Sequence, residues 1–225
     1  MFRYNKEFIR TKEGTTVEAD CPVIISASRV CDIPAFYGDW LLKQFENGYT
    51  IWINPFNGKK HYISFSKTRL IVFWTKNPLP FIKKLTEIEK YFKNYYFHFT
   101  LNDYTEEKLE QGLPTLNERI ETFKILSDTI GKNKIIWRFD PLILTCNTDI
   151  DSLIGKIEFI GNSLYKYTDK LVLSFADIDE YKRVKNRFYK SKIDYKNFTE
   201  EEIYNIAQKL KKLNSTWNIN MAACA

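Results

Sequence analysis

Three cations and three carboxylates fall directly behind short apolar runs: Arg29, Lys76 and Arg138, with Asp32, Asp140 and Asp177. Asn54 and Asn77 stand at equivalent places. Guanidinium and ammonium groups make charge-assisted hydrogen bonds to phosphate or carboxylate, while carboxylates accept from hydroxyls and amines. Converged on one mouth, this set suits a small anionic or strongly polar ligand, with the two asparagines orienting it. Taken singly, each residue reads equally well as a helix cap or loop anchor, and both Asp32 and Asp140 stand just ahead of a proline. No proton-transfer role follows without a geometry.

Other reactive side chains are few. His98 sits inside an apolar run and reads as a hydrogen-bonded interior residue; His61, in Lys59-Lys60-His61, reads as surface. Cys21, Cys31, Cys146 and Cys224 are far apart, with no CxxC or CxxH, which fits free thiols better than disulfides or zinc. Cys31 follows Arg29 closely, yet an inert thiol is the simpler reading. No metal site is expected.

Parallel α/β folds collect such groups at the C-terminal ends of strands, so the elements matter. Strand-like runs occur at 23–27, 49–53, 70–74, 95–99, 134–137, 171–175 and 217–221. Most are short, β-branched or aromatic and almost continuously apolar, as strands buried on both faces are. Helical periodicity fills most of the intervals. The clearest case is 200–213, with Ile203, Ile206, Ala207, Leu210 and Leu213 on one stripe and a Thr199/Glu202 capping box. Further helices are expected from Pro114 to a stop at Gly131, from a cap at Asp149 or Asp151, over 34–45 closed by Asn47-Gly48, and over 79–91. Asn57-Gly58 reads as a turn into a short extended segment. About seven mostly parallel strands with helical crossovers predict an α/β chain, an incomplete or truncated (β/α) barrel of the TIM type, as a single domain over 1–225. No GxGxxG or Walker loop supports an open nucleotide-binding sheet.

Composition agrees. The 225 residues are 44% apolar and 16% aromatic, enough for a large core and too much for disorder. No apolar run reaches the roughly 18 to 20 residues that span a bilayer, and no leader is evident, so a cytoplasmic protein without membrane contact is expected. Thirty-four Lys and Arg against 28 Asp and Glu give a net charge of +6, read first as a solvated basic surface. Residues 181–196 interleave Lys182, Arg183, Lys185, Arg187, Lys190 and Lys192 with Phe188, Tyr189 and Tyr195. This stretch reads as a solvated excursion, and alternatively as the contact of a nucleic-acid-binding module.

The loop motifs resemble a bacterial family, the domain of unknown function eighteen forty-eight. Its pattern SASRxTDIPAF, NPYN, VFWTKNP, YYFxFTL, ERIETFK, WRxDP and SFxD is matched, in order, at 26–36, 54–57, 72–78, 95–101, 118–124, 137–141 and 174–177. The resemblance implies a barrel related to radical S-adenosylmethionine enzymes, whose full-length members continue into a C-terminal cysteine cluster. A [4Fe–4S] cluster and S-adenosylmethionine are thus implied for a full-length form. This chain departs from the pattern at Val30-Cys31 and ends after Cys224, without the three close thiolates a cluster needs. The expectation for the chain as it stands is no cofactor, a ligand-binding mouth and an undetermined enzymatic status.

Overall fold

Residues 5–10 and 16–21 alternate exposed side chains with more covered ones, the period of a strand. They form β1 (Asn5–Arg10) and β2 (Thr16–Cys21), an antiparallel pair in register from Asn5 opposite Cys21 to Arg10 opposite Thr16. The computed structural model describes residues 5–28 and 31–224; Arg29 and Val30 lie outside the described residues. It divides the chain into two compact units, Met1–Phe97 and His98–Ala225.

In the first unit β3 (Ile24–Ala27) leads to α1 (Ile33–Phe36) and α2 (Gly38–Asn47), followed by β4 (Tyr49–Ile53) and β5 (Lys60–Ser64). Then come β6 (Leu70–Thr75), the single-turn helices α3 (Leu79–Ile82) and α4 (Leu85–Ile88), and β7 (Tyr95–Thr100), whose second half belongs to the other unit. β3 and β6 are parallel, Ile24 opposite Leu70 and Ala27 opposite Phe73. Phe73, Phe81 and Phe97 are fully buried beneath them, Phe73 stacked on Phe97 at 4.9 Å. A four-stranded sheet, ordered β1-β2-β5-β4, holds the remaining strands of this unit.

In the second unit α5 (Leu116–Ile130) precedes β8 (Ile135–Leu142) and β9 (Leu144–Thr145). After α6 (Ile150–Leu164) and β10 (Lys170–Phe175) come α7 (Lys182–Lys190) and β11 (Tyr195–Lys196), then α8 (Glu200–Trp217) and β12 (Asn220–Ala223). The sheet order here is β7-β8-β10-β12, with β8, β10 and β12 parallel. Trp137 on β8 and Phe99 on β7 are fully buried, Phe99 stacked on Phe123 of α5 at 5.2 Å. Between α6 and α8 the packing is tight: a Cβ on Gly161 would lie 2.3 Å from the Trp217 ring, so no other residue fits there without displacing the indole.

The fold is therefore mixed α/β, with parallel strands and flanking helices in each of the two units. The second expected strand differs for a local reason. Residues 49–53 form β4, which pairs antiparallel with β5 across the turn at residues 54–59, too short a link for a parallel crossover. Trp217, expected in the last strand, ends α8, and Asn218 caps that helix at φ 52°. The helix expected over 34–45 breaks at Tyr37 into α1 and α2, closed by Gly48 at φ 78°. Asp149, rather than Asp151, caps α6, and both Thr115/Glu118 and Thr199/Glu202 form capping boxes.

Candidate functional site

In the first unit the expected residues act on their own backbone. Asp32 caps α1, one carboxylate oxygen accepting from the Ala35 N–H at 3.0 Å. Its other oxygen accepts from the Thr75 hydroxyl at 3.0 Å and the Lys76 N–H at 2.7 Å, stapling the start of α1 to the end of β6. The Asn77 N–H donates to Thr75 Oγ1 at 3.1 Å, and its side-chain carbonyl accepts from Leu79 N–H, an Asx turn into α3. Asp32, Lys76 and Asn77 are thus brought together, with Asp32 accepting three hydrogen bonds. Asn54 lies instead in the β4–β5 turn, where its side chain accepts from Phe56 N–H at 2.9 Å. Arg29 lies outside the described residues.

In the second unit a polar cluster forms on one face of the sheet. Val172 pairs with Arg138 in the β10–β8 ladder, and just beyond, where the register shifts between Leu173 and Phe175, the Asp140 and Ser174 side chains meet. Arg138 donates from Nε, at 2.7 Å, and from Nη2 to a single oxygen of Asp140. The Ser174 hydroxyl donates to the other oxygen. Asn102 holds the Asp140 backbone from both sides: its carbonyl accepts the Asp140 N–H at 2.9 Å and its amide donates to the Asp140 C=O at 3.2 Å. Tyr104 does the same for the next residues, donating to the Pro141 C=O and accepting from the Ile143 N–H.

His98 on β7 is 9% exposed. Burial, reinforced by the charges of Arg138 and Lys170, pulls its imidazole down to about 4, so it is neutral at pH 7. Behind the cluster, Asn102 also donates to Glu110, which faces the buried Arg119 guanidinium at 3.7 Å. Lys156 and Thr148 both donate to Glu107. Burial pushes the Glu107 carboxyl up, and these hydrogen bonds outweigh it, leaving it below the ordinary carboxylate range.

Arg138 and Asp140 are thus bound to each other, while Asp177 stands in the exposed loop after β10 and outside the pair. Ser174 and Asn102 are members the residue types alone did not reveal. The signal for Ser174 was its place, two residues beyond the position paired with Arg138. Asn102 follows β7 and acts through backbone groups, which leaves no trace in composition.

A family model described as Domain of unknown function (DUF1848) matches residues 24–225. The chain belongs to this family. No curated protein and no solved structure matches it. In this DUF1848 chain the segment Trp-Arg-Phe-Asp-Pro at 137–141 supplies both halves of the ion pair, and Ser-Phe-Ala-Asp at 174–177 supplies the hydroxyl. Among the described residues no group of three His, Cys, Asp or Glu side chains could hold a metal ion. Among the described residues no helix is long and apolar enough to cross a membrane.

Proposed function

We propose that the protein binds a small polar ligand at the C-terminal ends of β8 and β10, with Asp140 and Ser174 as its hydrogen-bonding partners. Arg138 holds the carboxylate in place. One observation carries the reading: both Arg138 donors converge on one oxygen of Asp140, and the Asp140 side chain is the more open of the two, 23% exposed against 6%. A carboxylate so placed accepts from an ammonium or a hydroxyl of a ligand. Buried ion pairs are weak contributors to stability, so the position of this one at the strand ends, where α/β sheets bind ligands, favours a binding role.

The resemblance to radical S-adenosylmethionine barrels supports the same class of ligand. S-adenosylmethionine carries an ammonium and ribose hydroxyls that donate hydrogen bonds, and the parallel strands β8, β10 and β12 with their polar face suit a barrel-type sheet of that kind. The role proposed for these residues is binding alone, with no reaction step assigned to them.

Calorimetric titration of S-adenosylmethionine into the full chain tests it. Binding is expected, weakened at least tenfold by Asp140→Asn and by Ser174→Ala. Absence of binding removes this ligand, and an affinity unchanged in Asp140→Asn removes the site.

A further inference from the structure

The segment that follows β10 takes no part in that site. Within α7 one side chain is buried, Phe188, whose ring meets Tyr195 at 5.5 Å. Asp179 ties the helix down, accepting from Lys185 at 2.6 Å, from the Tyr195 hydroxyl at 2.8 Å and from the Asn197 amide. Lys182, Arg183, Arg187, Lys190 and Lys192 are all exposed. At 3.6 residues per turn, Arg183, Arg187 and Lys190 fall on one stripe turned away from Phe188, about 10 Å long. Tyr181, the N-cap, and Tyr189, 65% and 85% exposed, lie off the stripe, each about 100° or more round the helix from it. Residues 179–196 hold seven cations against three carboxylates, Asp179, Glu180 and Asp194, and Asp179 is already engaged by Lys185.

We propose that α7 binds single-stranded nucleic acid, the cations of the stripe tracking the phosphates and the exposed tyrosines on the helix's flanks stacking on bases. Three cations along one helix stripe match a run of phosphates, and exposed rings add stacking that a duplex would deny them. An anionic membrane surface would attract the same charges, but an interfacial helix also needs an apolar face to bury in lipid. Here Phe188 is the buried apolar contact of the helix and is already packed on Tyr195.

Fluorescence anisotropy of the full chain with a labelled oligonucleotide of about a dozen mixed bases tests the proposal. Binding is expected at low salt, with a steep salt dependence. Arg183→Glu/Arg187→Glu/Lys190→Glu lowers the affinity at least tenfold and reduces the slope of log affinity against log salt by about two, since each phosphate contact on a single strand contributes roughly 0.7. A matched triple reversal elsewhere, Lys83→Glu/Lys90→Glu/Lys93→Glu, stays within about twofold if the effect is local rather than one of net charge. Tyr189→Ala weakens binding several-fold with the slope unchanged. If the glutamates unfold α7, seen by circular dichroism, glutamines at the same three positions give the same reading. No binding at low salt, equal losses in the two triple variants, or preference for phosphatidylserine vesicles over the oligonucleotide overturns the proposal.

Discussion

The Arg138 guanidinium meets Asp140 from two residues away on the same strand, placing two donors on one carboxylate oxygen while Ser174 takes the other. Pairs at i and i+2 of a strand share a face, so β8 carries its own counter-ion. The cost of this arrangement is that either partner alone would be a charge on a largely covered sheet face.

Asp140→Ala should accordingly lower stability by about 3 kcal/mol, because it strands the buried guanidinium. Arg138→Met/Asp140→Leu should lose less than Asp140→Ala, since it removes both charges and keeps the volume. Urea denaturation of the three chains reads the difference, and a double variant less stable than the single one would contradict it.

His98 sets a pH dependence. Its imidazole titrates at about 4 in the folded chain against 6.5 ordinarily. The unfolded chain therefore binds the extra proton first, and stability falls as pH drops from 6.5 towards 4. The whole shift is worth about 3 kcal/mol. Depressed carboxyls such as Glu7 act in the same direction, but below 4.5. Between pH 6.5 and 5 the slope should belong largely to His98, so His98→Gln should flatten the urea midpoint across that window. A variant as steep as the parent there would reject the assignment.

Asp32 accepts three hydrogen bonds and is expected to be structural. Asp32→Ala should cost about 2 kcal/mol through the lost cap and the orphaned Thr75 and Lys76 donors. It should leave the affinity of the second unit for S-adenosylmethionine unchanged. Tm and calorimetry on one preparation separate the two effects.

Much of this was readable in the residues. The capping box at Thr199, the turn at Asn57-Gly58 and the apolar strands β3, β6, β7 and β10 follow from local chemistry that tertiary structure does not override. β1 left no such mark, because residues 5–10 are largely polar and exposed, and β2 mixes polar with buried residues over a short run, so both gain their structure from pairing. The direction of β4 was hidden for another reason: an apolar strand looks the same in either orientation, and the short turn after it decides. At the site, residue types pointed to Arg138 and Asp140 as two separate ligand contacts. That they bind each other depends on their shared strand face, and the roles of Asn102 and Ser174 depend on which strands are neighbours.

The tryptophans are distributed unequally. Trp40 and Trp52, in the first unit, are 46% and 45% exposed, whereas Trp137 and Trp217, in the second, are 0% and 4% exposed and meet edge-on at 6.2 Å. A water-borne quencher reaches the first pair and not the second. Trp74, also in the first unit, is only partly covered, so the bluest, most quench-resistant part of the emission comes chiefly from residues 98–225 and reports the melting of the unit that carries Arg138 and Asp140 without any added label.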